Sequence, residues 1–161
     1  PDAHNNLAAL ALDRGRWSDA AVHANRALRA RPDHVNAWLN LGLARDGEGQ
    51  PGAAEEAFRR CLDIDDRHTM ARFHLARLYA RDAGRAPSAA ELLRRISTEA
   101  PSFPEPHLLL GELYAGVLDD PRRARAHLNA FLRLTSAAGG DDPRAPRVQS
   151  LLADLSLRGG A

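Results

Sequence analysis

Apolar and small residues return along this chain at the period of a two-helix unit. Leu7, Leu41, Leu75 and Leu110 recur at spacings of 34, 34 and 35, and each is followed by Ala or Gly. Ala20, Ala54, Ala89 and Ala124 run in parallel, the first three each 21 residues before the next marked Leu. The Leu-to-Ala interval grows from 13 to 14, so the third and fourth units each hold one extra residue at one place. A unit of about 34 residues is a helix, a turn and a helix, and its apolar faces are buried only by stacking on neighbouring copies. The pattern predicts an all-α solenoid of stacked helix-turn-helix repeats, with a curved surface for binding and no chemistry of its own.

Within that period the sequence predicts helices near 2–14, 18–31, 36–48, 52–64, 69–82, 87–99, 104–117 and 121–135. Gly15, Gly49 and Gly84 fall where the first helix of a pair must turn, which favours a residue that tolerates positive φ. Pro32 and Pro101 stop second helices, Ser18 and Ser88 are placed to cap helix starts, and Asp120 before Pro121 opens the last pair. The units are then 1–34, 35–68, 69–103 and 104–136, followed by a small, polar linker over 137–142. A ninth helix is predicted over 143–157, with Asp142 as its cap and Val148, Leu151, Leu152 and Leu155 on one apolar face. That face suits a helix covering the end of a stack, and residues 158–161 are expected to be a disordered tail.

Composition changes this picture little. At 161 residues, with 44% hydrophobic and 27% charged positions, the chain is in the globular range, and its net charge of +1 supplies no strong field for nucleic acid. All 22 basic residues are Arg, read here as coding bias. Cys61 is alone, so cysteines build neither a disulfide framework nor a zinc site. No run reaches the roughly 18 apolar residues that a membrane span needs. The chain opens without Met at a repeat boundary, and is expected to be a fragment of a longer protein.

At fixed offsets the residues resemble the tetratricopeptide repeat. That pattern places a large apolar residue, a Leu and a small residue on the first helix, Gly at the turn, then Ala, an aromatic and Ala on the second helix. The second unit is nearest to it, with Trp38, Leu41, Gly42, Gly49, Ala54, Phe58 and Cys61. The others keep the register through Leu7, Ala8, Ala20 and Ala27, through Leu75, Ala76, Tyr79 and Ala89, and through Leu110, Gly111, Tyr114 and Ala124. Trp17, Trp38, Phe58, Tyr79, Tyr114 and Phe131 are expected to fill gaps between layers.

The resemblance implies a right-handed superhelical solenoid in which first helices line the concave face. Counted from the matched positions, Asn6, Leu39, Asn40, Leu43, Met70, Phe73, His74, Arg77, Leu108 and Leu109 are the candidate partner-binding residues. Several are apolar on a surface that stacking leaves free, the signature of an interaction patch. Asn6 and Asn40 are similar to an asparagine ladder that pairs with ligand backbone in some long arrays of this family, although His74 and Leu109 take the corresponding places further on. The set that grips acidic chaperone tails is matched by Asn40 alone.

Other signals carry less. The stretch from Gly47 to Gly52 spells a dinucleotide fingerprint, but it lies at an inter-helix turn and contains Pro51 rather than following a strand. The seven His form no metal-ligand spacing, and the arginines of the second helices, among them Arg26, Arg59 and Arg60, read as a solvated convex face. The sequence therefore points to a non-catalytic, cofactor-free and metal-free module that binds another protein or a peptide segment. It is not expected to bind nucleic acid or to insert into a membrane. The alternative is a regulatory or substrate-presenting segment of a larger enzyme or membrane-anchored protein.

Overall fold

A computed structural model of the chain describes residues 1–137, 139 and 142–158, the last by its backbone. Among these residues there are nine α-helices, one 3-10 turn and no strand, which is the all-α repeat class expected from the sequence. The helices are α1 (Asp2–Asp13), α2 (Trp17–Ala30), α3 (Val35–Gly47), α4 (Pro51–Ile64), α5 (Thr69–Tyr79), α6 (Ala86–Glu99), α7 (Pro104–Ala115), α8 (Pro121–Ala137) and α9 (Ala145–Arg158). The chain forms two compact units, Pro1–Leu78 and Tyr79–Ala161. In the first, α2 packs between α1 and α3, and α4 lies along α3; in the second, α7 packs between α6 and α8, and α9 lies on α8.

Small residues let the helices approach. Ala20, Ala54, Ala89 and Ala124, the series that set the period, are all fully buried. Gly42 lies against the ring of Phe58, where a Cβ has no room, and Gly111 lies against Leu128 in the same way, a Cβ there falling 2.5 Å from the Leu128 side chain. Packing at interior density leaves no slack for the extra methyl.

Several local expectations are corrected. Gly15 and Gly49 do take positive φ, at +65° and +72°, but Gly84 does not; it lies in the 3-10 turn Ala83–Arg85, whose first N–H groups are held by Asp82. Ser18 and Ser88 fall inside the first turns of α2 and α6, because those helices start earlier, at Trp17 and Ala86. Asp120 accepts from the N–H of Arg123 at 3.0 Å, the geometry of a cap. The ninth helix starts at Ala145 rather than Pro143, after a turn in which the carboxylate of Asp142 accepts from the N–H of Arg144 at 2.8 Å. Trp17 is 40% exposed: its indole lies across Gly47 at the surface instead of filling a gap between layers. Much of the linker, at 138, 140 and 141, and the tail beyond Arg158 lie outside the described residues.

Candidate functional site

Adjacent first helices are tied together by polar groups at repeated positions. At the start of α3, His34 Nδ1 accepts from the N–H of Ala37 at 3.4 Å, which places the hydrogen of the ring on Nε2. That nitrogen donates to Asp2 Oδ1 of α1 at 3.1 Å, and Arg31 adds a second hold on the carboxylate at 3.2 Å, keeping Asp2 below the usual carboxylate range. One repeat on, His68 Nδ1 accepts from Ala71 N–H at 3.2 Å and Nε2 donates to Asn36 Oδ1 at 3.3 Å. Further along the same helices, Asn40 donates from Nδ2 to Asn5 Oδ1 at 2.9 Å and to Asn5 backbone oxygen at 3.3 Å.

These ties decide which of the expected site residues face solvent in Pro1–Leu78. Asn40 is buried and its amide nitrogen is spent on α1, whereas Asn6, at the same place in its repeat, is exposed. Phe73 is buried at 8% exposure and so is not an open anchor in the free chain. His74 is half-buried against the ring of Phe58, 5.8 Å between centroids; burial, then the charge of Arg77, lowers its pKa to about 4. Leu39 and Leu43 are half-buried, Met70 is 41% exposed and Arg77 is exposed. Met70 falls 34 residues after Asn36 and 68 after Asp2, so an apolar side chain stands where the earlier repeats hold an acceptor.

In Tyr79–Ala161 the first-helix face of α7 is occupied differently. Leu108 and Leu109 are half-buried, and the glutamates on either side of them are held from α9: Arg144 pairs with Glu105 at 3.4 Å and Arg147 with Glu112 at 3.2 Å. The Arg144 guanidinium also lies 5.0 Å over the Phe131 ring and pairs with Asp142 at 2.7 Å; its hydrogen bonds pull the Asp142 carboxyl down to about 2. The glutamates that flank the expected apolar patch are thus engaged by the chain itself.

Two histidine pairs went unnoticed in the sequence. His4 and His23 join α1 to α2 with Nδ1 atoms 3.2 Å apart, and His107 and His127 join α7 to α8 at 3.0 Å, from the same two places in the first and fourth repeats. In each pair one ring donates to the other, a contact that needs at least one neutral imidazole. Burial, with His107, Arg123 and Arg94 nearby, lowers His127 to about 4. The repetition itself, and the spacing of 34 between His34 and His68, was the readable signal. The buried Cys61 thiol is pushed up to about 12 by burial and by Asp65, which makes it unreactive. Among the described residues no group of three or more His, Cys, Asp or Glu could hold a metal ion, and no helix is long and apolar enough to cross a membrane.

Stacked helix pairs held by small residues, with first helices that turn part of their apolar surface to solvent, define a helical-repeat protein of the kind that binds other proteins. The chain belongs to the tetratricopeptide repeat family, whose pattern matches residues 5–67 and 46–104. It is 27% identical over 142 residues to a peroxisomal targeting signal receptor of Eremothecium gossypii, covering 88% of this chain and 24% of that one, so it spans about a quarter of the relative's length. In fold it is similar to pilF of Pseudomonas aeruginosa, with a TM-score of 0.82 at 24% identity over 98% of this chain and 68% of that one. It is also similar to an O-GlcNAc transferase of Thermobaculum terrenum, with a TM-score of 0.76 at 21% identity over 83% of this chain and 26% of that one.

Proposed function

We propose that the chain is a non-catalytic interaction module or assembly scaffold that takes up an extended or helical segment of a partner protein on the first helices of its repeats. The observation that carries this reading is Met70, 41% exposed at a place where earlier repeats hold a hydrogen-bond acceptor, on α5, the next first helix after the α3 that carries half-buried Leu39 and Leu43. Asn36 and Arg77, both exposed on these helices, supply polar contacts at the rim. A small apolar centre with a polar rim is the usual layout of a segment-binding surface. The name of the relative, a peroxisomal targeting signal receptor, points the same way, to recognition of a signal.

The test is capture of partners from a cell extract, followed by affinity measurement on the captured protein. Met70→Glu and Leu43→Glu should each weaken binding by about 1–3 kcal/mol, while Arg60→Ala on α4 should leave it unchanged. Equal binding by well-folded Met70→Glu and Leu43→Glu would place the partner on another surface. The second reading, a regulatory or substrate-presenting segment of a larger enzyme, draws on the likeness to a transferase chain of which the matched region is 26%. It predicts that the captured partner includes a substrate of such an enzyme.

A further inference from the structure

The second helices differ in how they carry charge. α2 holds two Arg and one Asp, α4 two Arg and three carboxylates, and α6 two Arg and two Glu. In α4 and α6 opposite charges meet along the helix, Arg59 with Glu55 at 2.8 Å and Arg94 with Glu91 at 2.8 Å. α8 holds four Arg, at 122, 123, 125 and 133, and no carboxylate. Arg123 is balanced by Asp120, the cap before the helix, at 3.3 Å. Arg122, Arg125 and Arg133 have no ion pair among the described residues.

Those three arginines share one side of the helix. With Asn129 they stand at i, i+3, i+7 and i+11, which at 3.6 residues per turn makes a stripe about 80° wide and about 16 Å long. Arg122, Asn129 and Arg133 are exposed and Arg125 is half-buried, while Ala124, Leu128 and Phe131 bury the opposite face. The helix dipole does not account for the placement. A helix start favours acidic side chains and a helix end basic ones, yet α8 opens with Arg122 and Arg123, adds Arg125 in its second turn and has no basic residue in its last. What the stripe offers is donors. Three guanidiniums and an amide can all donate to carboxylates, and the positive end of the helix adds to their field.

We propose that the stripe of Arg122, Arg125, Asn129 and Arg133 on α8 binds an acidic peptide segment of a partner protein, with carboxylates spaced along the helix. Charge complementarity carries the choice. A nucleic acid fits less well, because its bases need a surface to stack on and the aromatic ring of α8, Phe131, is fully buried on the other face. A membrane surface fits less well too, since none of the exposed large hydrophobic residues is on α8. The stripe shares no residue with the surface on α3 and α5, so its test does not depend on that reading.

The probe is an Ala-rich helical peptide with Glu at i, i+3, i+7 and i+11, titrated into the isotope-labelled chain and compared with the same peptide carrying Gln. The Glu peptide should shift the resonances of residues 122–136, and raising the salt from about 0.05 M to about 0.5 M should abolish the shifts. Arg125→Gln with Arg133→Gln should weaken binding about tenfold or more, whereas Arg60→Gln on α4 should not change it. Arg122→Gln should leave the melting temperature unchanged or raise it, because the helix start loses a cation. Absence of shifts in α8, equal binding of the Gln peptide, or full affinity in the double variant would overturn the proposal. So would a melting temperature lowered by Arg122→Gln, which would give the arginines a structural role. Tighter binding of a single-stranded oligonucleotide, lost in the double variant, would assign the stripe to nucleic acid instead, and a dimer abolished by that variant would assign it to a second copy.

Discussion

His68 stands to α5 as His34 stands to α3: each ring accepts the N–H three residues on and donates across to the preceding first helix, at Asn36 Oδ1 and at Asp2 Oδ1. One side chain therefore closes a helix start and fixes the spacing between two repeats. Replacing His34, 9% exposed, by Ala removes a cap and leaves Asp2 with Arg31 alone. The expected cost is about 1 kcal/mol, the usual value of an N-cap. Asp2→Ala, at an exposed carboxylate, should cost less. Urea denaturation of both single variants and the double would check this; additivity would show that the two side chains are not coupled.

Two glycines test the packing in opposite directions. Gly42→Ala forces a methyl into the ring of Phe58, itself 1% exposed and unable to move aside. After the gain in helix propensity, the net loss should be about 1–2 kcal/mol. Gly52, in α4 with nothing near its Cβ direction, should gain a few tenths to about 1 kcal/mol on substitution by Ala. A stable Gly42→Ala would show that α3 and α4 can separate at little cost.

The fold was legible because its period is a packing demand: wherever two helices cross closely, only a small residue fits, and Ala20, Ala54, Ala89 and Ala124 record that at fixed intervals. The site was less legible because one repeat position serves two purposes. Asn6 and Asn40 read alike in the sequence, yet Asn40 is buried and becomes a tie to Asn5 of α1, while Asn6 is exposed. Phe73 and Met70 likewise share a helix, and only the structure buries the first and exposes the second. Trp17 failed as a core residue for a local reason, since Gly47 opens a shelf for the indole at the surface.

We expect α9 to act as a cap. It buries Val148 and Leu155 against the last repeat pair and pins α7 through Arg144 and Arg147. Deleting residues 143–161 should uncover the surface of α8 around Phe131, lower the melting temperature and promote self-association. Sedimentation and thermal melts of the shortened chain would decide it; an unchanged monomer would give the helix another role. The charge-reversed Arg147→Glu should cost little, because its side chain is mostly in water.

Stability should fall as pH falls through the titration of His74. Burial beside Phe58 and the charge of Arg77 hold its folded pKa at about 4, against 6.5 for a free side chain, with Asp46 opposing the shift. Between those values the unfolded chain binds a proton that the folded chain refuses, so stability rises with pH across the window. The contribution is complete above the free value and is lost as pH falls toward the folded one. Its size is on the order of 2 kcal/mol. His127 adds a loss of the same sign, shared with His107 because the two rings are bonded. Urea midpoints measured between about pH 7 and pH 5, above most carboxylate titration, should decline in the native chain and decline less in His74→Phe. Nuclear magnetic resonance of the His74 ring should show it still neutral at about pH 5. Titration of His74 near 6.5, or a pH slope unchanged in His74→Phe, would mean that the ring is solvated and that Phe58 does not shield it.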